Sequence, residues 1–306
     1  MGTYLIRRAF HSFLSLAGLL ILVFFLARLT GDPTNLYLPL DATLEARQEF
    51  TEKHGFNDPI YVQFGRYLVQ LAQGDLGDSL MKARPAIDVV LEAFWVTLSL
   101  AAVVIPIALI GSVVVGALAA YKPGGAFDRI GTIAALLGAS APDFWVAITG
   151  IIIFSLTLGW LPTSGYEGHL VYWIMPVTVL LIRPFGLLVQ VARGSMLSVF
   201  SSAFVKTARA KGVKERSVIF IHALRNAMLP VITVAGDQAA GILNGAVIVE
   251  TIFGWPGVGK LMIDSIFNRD FAVLQTSILV TAVAIFTVNI AIDIAYAFLD
   301  PRIRHN

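Results

Sequence analysis

Six long apolar runs constrain this chain more than any other feature. Their approximate bounds are 9–29, 94–121, 130–158, 171–191, 227–253 and 271–298. A helix of about 20 apolar residues crosses the ~30 Å hydrocarbon layer of a bilayer. Moreover, 57% of the residues are hydrophobic and 14% are charged, whereas soluble domains have about 45–50% and about 25%. The sequence therefore predicts an all-α polytopic membrane protein with six transmembrane helices.

The basic residues are distributed unevenly between the two sides of these helices. With a cytoplasmic N-terminus, 13 Lys and Arg residues lie in inner segments and seven in outer segments. Because short cytoplasmic loops of membrane proteins are enriched in Lys and Arg, this bias predicts that both termini are cytoplasmic. The predicted organisation is an N-terminus with the first helix (1–29), an extracytoplasmic segment (30–93) and a five-helix core (94–306) with an inner loop at 193–226.

The extracytoplasmic segment contains one amphipathic stretch. Between residues 58 and 72, one helical stripe carries the apolar side chains, and these are Ile60, Phe64, Tyr67, Leu68 and Leu71. Such a helix lies on the membrane surface or packs on the helix ends. The alternative is a docking surface for a partner protein.

Several functional classes are excluded by composition and local spacing. The net charge of +2 is too small to indicate nucleic acid binding, and the chain has no cysteine for a thiol site. No nucleophile–base pair, carboxylate pair or metal-binding cluster occurs at local spacing, so we expect no catalytic activity and no cofactor or metal bound by this chain. Gly254–Lys260 resembles a phosphate-binding loop, but Leu261 replaces the hydroxyl that binds Mg²⁺ and no strand precedes it.

Polar side chains within the predicted helices are the first candidates for function. An ionisable group at the bilayer centre costs about 2.5–3.5 kcal/mol on insertion scales, so it must face protein or water. The candidates are Asp143, Arg183, Asp237, Asn244, Asn289 and Asp293. Asp237, Gly241, Asn244 and Gly245 share one helix face. We expect these polar faces either to hydrogen-bond between helices or to line a solute pathway.

Arg183 stands next to Pro184 inside a predicted helix, where proline favours a kink. The Arg183 guanidinium needs a polar neighbour at this depth. Two interpretations follow: Arg183 pairs with Asp237 or Asp293, or it contacts an anionic group of a solute.

The inner loop at 193–226 is the most strongly basic segment, with seven Lys and Arg residues and the single acid Glu215. Two short amphipathic helices are expected to meet at Gly212, which tolerates a tight turn. A rigid elbow of this kind transmits force from a soluble partner. A generic basic loop that contacts anionic lipid accounts for the charge equally well.

Two blocks of this loop carry a family resemblance: TARAKGV at 207–213 and HALRNAMLPVIT at 222–233. They resemble the EAA coupling motif in permease subunits of binding-protein-dependent ABC importers, in the dipeptide and oligopeptide group. Further blocks in the same order are GDP (31–33), GDLGDS (74–79), LGWLPTSGY (158–166), GAVIVETIFGWPGVGKL (245–261), NRD (268–270) and DPRIR (300–304). One departure is Ser202-Ala203, where relatives usually carry acidic residues.

The resemblance implies the type I ABC importer permease fold in a bacterial cytoplasmic membrane. It implies a homologous second permease subunit, two ATPase subunits that carry ATP and Mg²⁺, and an extracytoplasmic solute-binding protein. The residues expected to contact an ATPase are Thr207, Ala208, Arg209, Ala210, Lys211 and Gly212. Peptides are the implied solutes, with nickel, glutathione or opines as alternatives within the group.

Two other functional classes remain open on the residues alone. A proton-coupled secondary transporter would use Asp237 and Asp293 as proton carriers and would need no ATPase. A membrane-anchored scaffold would conduct no solute.

Overall fold

The computed structural model describes residues 2–29, 34–38 and 42–299. The GDP and DPRIR blocks lie outside the described residues, as do the side chains of Asn244 and Asp293. The α-helices within the described ranges are α1 (Gly2–Leu29), α2 (Thr34–Tyr37), α3 (Leu44–His54), α4 (Ile60–Ala72), α5 (Ala86–Tyr121), α6 (Ala126–Ser140), α7 (Asp143–Gly150), α8 (Val171–Phe200), α9 (Ala203–Ala210), α10 (Glu215–Ser217), α11 (Leu224–Phe253), α12 (Val258–Phe267) and α13 (Phe271–Leu299). Two π-helical segments, Ile151–Thr157 and Val218–Ala223, continue α7 and α10.

The helices have the length and composition of membrane spans. Four are long and apolar enough to cross a bilayer, namely Ala86–Tyr121, Val171–Phe200, Glu215–Leu243 and Phe271–Ile292. Two helix pairs, Ala126–Ser140 with Asp143–Thr157 and Ala246–Phe253 with Val258–Phe267, raise the number to six if each pair is one span. The predicted all-α membrane architecture is confirmed, with four to six spans in the described part of the chain.

One span differs in shape from the sequence prediction. The third predicted span, 130–158, is bent by 101° between α6 and α7. Pro142 explains this bend, because the residue before a proline is disfavoured in the α region, and Ala141 is extended with φ −73° and ψ 128°.

Helix α5 begins at Ala86, eight residues before the predicted start at 94. The added turns are amphipathic: Ala86, Val89 and Val90 are buried, whereas Asp88 and Glu92 are not. Two acids within eight residues lower the average hydropathy, so the apolar run in the sequence begins later than the helix does. Burial of one face stabilises the helix regardless of that average.

Contacts divide the chain into two units that differ from the predicted 94–306 core. The first contains residues 1–97 and 256–286, and the second contains 98–255 and 287–306. In the first unit, the start of α5 packs on α12 and α13 through Ala86, Val90, Val258 and Val273. The sequence separation between these segments is large, so no local pattern predicts their contact.

The amphipathic helix α4 packs against α1 within the first unit. The Phe64 and Tyr67 rings lie 5.1 and 5.3 Å from the Phe24 ring, measured between centroids. Phe24 is fully buried. Phe64 and Tyr67 therefore pack on the last part of α1. This agrees with the interpretation that the amphipathic stretch packs on helix ends.

Two motif blocks of the first unit, GDLGDS and NRD, meet in a buried hydrogen-bond cluster. The Ser79 hydroxyl donates to Asp270 Oδ2 at 2.6 Å, and the Met81 amide donates to the same oxygen at 3.3 Å. The Tyr37 hydroxyl donates to the Asn268 carbonyl at 2.8 Å. Burial, aided by the Asp270 charge, raises the pKa of Tyr37 to about 12, so the phenol is protonated and donates at neutral pH.

Replacing Asp270 by alanine is expected to destabilise the protein by about 2–3 kcal/mol, because buried donors lose a charged acceptor. Thermal unfolding of the purified protein in detergent measures this loss. Asp264→Ala is the matched control, since its ion pair with Lys260 is partly exposed and spaced i,i+4, a kind of pair that contributes only about 0.3–0.5 kcal/mol. Equal shifts in Tm for the two variants would contradict a structural role of the Asp270 cluster.

Helix α8 is the centre of the second unit and packs along both α6 and α11. Gly186 permits the approach of α6, because an added Cβ would lie 2.8 Å from the Ala139 amide nitrogen. Gly116 of α5 similarly faces the Ala192 side chain of α8. Ser112 and Ala120, which share the face of Gly116, are also buried. These small residues are therefore packing positions.

Candidate functional site

The inner loop at 193–226 is a folded, anchored structure. It comprises the end of α8, helices α9 and α10, and the π-helical segment that leads into α11. Val205 of α9 and Val218 after α10 are fully buried, and both join a cluster with Ala117 and Met196. The exposed charges of the loop are thus held on an apolar base.

Gly212 ends α9 in a Schellman turn. Its φ is +75°, a left-handed conformation that glycine adopts without a Cβ penalty. The Gly212 amide donates to the Arg209 carbonyl at 2.9 Å, and the Val213 amide donates to the Ala208 carbonyl at 3.2 Å. Ala208 and Val213 also pack against the same cluster. These contacts fix the direction in which the chain leaves α9.

An ion pair spans this turn. Arg209 Nη2 lies 2.6 Å from Glu215 Oε1, which connects α9 to α10, and its guanidinium lies 5.5 Å from the centroid of the Phe200 ring. Glu215 is the only acid of the loop. The pair is partly exposed, so we assign it a role in orientation rather than a large stabilising energy.

The predicted coupling residues lie mainly on the outer surface of this elbow. Ala208 is partly buried, and the exposed members are Thr207, Arg209, Ala210, Lys211 and Gly212. Phe204 is 45% exposed on the same helix. A cationic surface with one exposed aromatic ring fits both expected uses of this loop, docking of a protein partner and contact with anionic lipid.

A buried ion pair connects the start of this loop to α6. Arg193 contacts Asp128 through two nitrogens, Nε with Oδ1 and Nη2 with Oδ2, the latter at 2.8 Å. The Gly124 amide also donates to Asp128 at 2.8 Å. The Asp128 side chain is 4% exposed and that of Arg193 is 28% exposed. Sequence reasoning missed this pair; its only local signal is one acid between the basic residues Lys122 and Arg129.

Two of the predicted polar positions in the membrane helices are exposed in the described part of the chain. Arg183 of α8 and Asp237 of α11 are both exposed. Gly241, one turn after Asp237, is also exposed, and an added Cβ there would meet no atom within 4 Å. Gly241 therefore packs against no helix of the described chain. Asn289 of α13 is partly buried, and the Asn244 and Asp293 side chains lie outside the described residues.

The structure places a further carboxylate beside Arg183. Among the described side chains, Arg183 forms no ion pair with Asp237, and the Asp293 side chain lies outside the described residues. Arg183 instead lines one cavity with Asp143 of α7 and Gln238 of α11. The bend at Pro142 positions Asp143 there, and no sequence spacing predicts that bend angle.

Two further motif blocks, LGWLPTSGY and GWPG, meet in an aromatic cluster in the second unit. Trp255 is fully buried, and its ring lies 4.6 Å from that of Tyr166 and 4.8 Å from that of Trp173, both edge-on. The Gly165 amide donates to the Phe253 carbonyl at 2.9 Å. Residues of these two blocks thus pack a loop against the end of α11.

The sequence that resembles a phosphate-binding loop is the start of α12. Gly257 is the N-cap residue of α12, Lys260 pairs with Asp264 at 2.5 Å, and Leu261 packs against an apolar cluster. No strand precedes it in the described part of the chain. This geometry differs from that of a nucleotide-binding loop.

Comparison with known proteins assigns these features to one family. Residues 112–305 match the family described as binding-protein-dependent transport system inner membrane component. The chain is 38% identical over 316 residues to the oligopeptide transport system permease protein AppB of Bacillus subtilis. It is 35% identical over 306 residues to the glutathione transport system permease protein GsiC of Salmonella paratyphi A. Both alignments cover 100% of each chain.

A solved structure is similar in fold. One chain of the MetNI methionine ABC transporter, in an inward-facing conformation, matches with a TM-score of 0.59 at 13% identity, covering 69% of this chain and 96% of that chain. The full-length relatives are transport system permease proteins, which favours transport over the scaffold interpretation. The family description also specifies dependence on a binding protein, unlike a secondary transporter. This protein therefore belongs to the family of inner membrane components of binding-protein-dependent transport systems and has the fold of an ABC transporter permease.

Proposed function

We propose that this chain is one of two permease subunits in an importer that moves peptides, or small solutes of similar chemistry, into the cytoplasm. Two separate ATPase subunits drive the transport by hydrolysing ATP with Mg²⁺, and an extracytoplasmic binding protein delivers the solute. The names of full-length relatives, which include oligopeptide and dipeptide permeases, support the solute class. The bias of basic residues supports cytoplasmic termini and a cytoplasmic loop at 193–226.

The observation that carries this proposal is the anchored elbow of α9 and α10. Its buried side, with Val205 and Val218, is continuous with the membrane helices, while its exposed side carries the apolar ring of Phe204 beside polar residues such as Lys211. A surface of this kind moves together with the helices to which it packs. Movement of a docked ATPase subunit would therefore be transmitted to α8 and α11.

The uncovered face of α8 and α11 is assigned to the solute pathway or to the second permease subunit. Arg183 and Asp237 are exposed at positions inside apolar helices, where lipid contact is costly. We place Asn244, Asn289 and Asp293 on the same pathway or interface because of their spacing on α11 and α13. A homologous subunit that covers this face would enclose the polar groups between two chains.

The coupling role is tested by replacing Gly212 with valine. An L-residue in a left-handed conformation costs about 1–2 kcal/mol, which corresponds to a roughly 5- to 30-fold loss of the native elbow. We expect ATP-dependent peptide uptake by the reconstituted importer to fall by about tenfold, while ATP hydrolysis falls less. Uptake and phosphate release are measured on the same proteoliposomes.

Gly212→Asn is the matched control. A Cβ at this position meets no atom within 4 Å, so valine acts through backbone strain, and asparagine tolerates a left-handed conformation better than valine. We expect the asparagine variant to retain most of the uptake. Unchanged uptake in the valine variant would contradict a coupling role for this turn.

A further inference from the structure

A cavity of about 160 Å³ lies among α7, α8 and α11 in the second unit. Three of its lining side chains are polar and chemically different: the Asp143 carboxylate, the Arg183 guanidinium and the Gln238 amide. The rest of the lining consists of Leu180, Pro184, Gly241 and Ile242. The cavity thus presents one anion, one cation and one neutral donor–acceptor group on a largely apolar wall.

This cavity lies near the middle of the membrane helices. Arg183 is the thirteenth of 30 residues in α8, and Gln238 is the fifteenth of 30 residues in α11. At 1.5 Å of rise per residue, each lies roughly 20 Å from the nearer helix end. Asp143 follows the 101° bend between α6 and α7. Binding sites of transporters are commonly built at this depth, where a span is interrupted.

The two charged side chains in the cavity do not form an ion pair with each other. Asp143 and Arg183 are close enough to interact electrostatically, but among the described side chains they form no ion pair within 4 Å. Asp143 is partly buried and Arg183 is exposed. Holding two unpaired opposite charges at mid-membrane depth is costly, and that cost is offset if a ligand supplies both counter-charges.

We propose that this cavity binds the two charged ends of a short zwitterionic peptide. The Arg183 guanidinium binds the terminal carboxylate and the Asp143 carboxylate binds the terminal ammonium. The Gln238 amide forms a hydrogen bond with the peptide group between them. Two residues of extended chain span about 7 Å, and both charged side chains line this one cavity of about 160 Å³. The site therefore selects for dipeptide termini and makes few contacts specific to a side chain.

This inference rests on the proposed import of peptides and specifies the site that contacts them. The competing explanation is that Asp143 and Arg183 pair structurally when the helices move. The two explanations differ for a variant in which both charges are removed. A structural pair tolerates joint neutralisation better than the loss of one partner, whereas two separate ligand contacts are lost independently.

The test uses the complete importer, with its second permease and ATPase subunits, purified without binding protein. Equilibrium binding of radiolabelled alanyl-alanine is measured for the unchanged protein, Arg183→Gln, Asp143→Asn and the double variant. Because a hydrogen bond to a charged group contributes about 1.5–3 kcal/mol, we expect each single variant to weaken binding about 10- to 100-fold, and the double variant by about the product.

Blocked dipeptides supply the matched chemical control. N-acetyl-alanyl-alanine lacks the ammonium, so its affinity should respond to Arg183→Gln but not to Asp143→Asn. Alanyl-alanine amide lacks the carboxylate and should show the reverse response. Equal responses of all three ligands to each variant would overturn the assignment of the two ends.

Two other results would also overturn the proposal that this cavity binds dipeptides. One is binding in the double variant that is stronger than in either single variant, which indicates a structural pair. The other is the absence of saturable alanyl-alanine binding to the unchanged importer up to about 10 mM, beyond the millimolar range of weak specific sites. ATP-dependent uptake of alanyl-alanine, measured in parallel with binding protein present, separates these failures from failure of the importer function itself.

Discussion

Replacing Asp128 by asparagine is expected to destabilise the protein by about 3 kcal/mol. Breaking a buried ion pair costs about 3–5 kcal/mol because one charge is left without its partner. The lower end applies here, since 28% of the Arg193 side chain is exposed to water. The change is measured as the shift in the unfolding transition of the purified protein in detergent.

Two control variants distinguish the loss of the buried ion pair from the general effect of removing a charge. Arg66→Gln removes an ion pair with Asp58 whose side chains are 49% and 38% exposed, and it should cost less than about 1 kcal/mol. Asp128→Asn combined with Arg193→Gln should be more stable than Asp128→Asn alone, because no charge is left unpaired. A double variant less stable than the single variant would contradict this explanation.

The Asp128 variant also has an expected functional consequence. Arg193 lies at the junction of α8 with the inner loop, and Asp128 fixes that junction to the first turn of α6. Loss of this connection should reduce ATP-dependent uptake more than it reduces the amount of protein in the membrane. Uptake normalised to protein amount, compared with Arg66→Gln, measures the effect.

Replacing Trp255 by alanine is expected to cost about 3–5 kcal/mol, the usual range when a large buried aromatic side chain is removed from a core. Trp255 is fully buried and contacts both Tyr166 and Trp173 at ring-centroid distances below 5 Å. Its loss leaves a cavity where a loop packs on the end of α11. The free energy of unfolding in detergent measures this cost.

Trp255→Phe is the matched control for that variant. Within the described residues, Trp255 Nε1 has no hydrogen-bond partner, so phenylalanine removes no protein–protein hydrogen bond and keeps an aromatic ring. We expect the free energy of unfolding to fall by less than about half as much in the phenylalanine variant as in the alanine variant. If both variants lost the same stability, ring packing would not be the source of the Trp255 contribution.

The turn at Gly212 shows how much of the candidate site could be predicted locally. Gly212 was expected at a bend between two short helices, and the structure has a left-handed residue there. Local sequence predicts such a turn because few residues other than glycine adopt this conformation easily. What the turn contacts in an ATPase subunit stays a prediction.

The cavity at Arg183 shows a neighbour that local patterns do not predict. The sequence indicates that Arg183 needs a polar neighbour, with Asp237, Asp293 or a solute group as candidates, and the structure also places Asp143 at the same cavity. The reason is the bend at Pro142, which redirects α7 toward α8. A proline predicts that a helix is interrupted, but the angle depends on what the second half packs against.

The amino-acid sequence alone predicts a bundle of membrane helices, because the length and apolarity of each run are local properties that a bilayer selects directly. It does not predict which polar residues meet, and the folded structure brings together Asp128 with Arg193, Ser79 with Asp270, and Asp143 beside Arg183. Each of these pairs joins helices or segments far apart in sequence. Their contact depends on how helices pack and bend, which hydropathy does not specify.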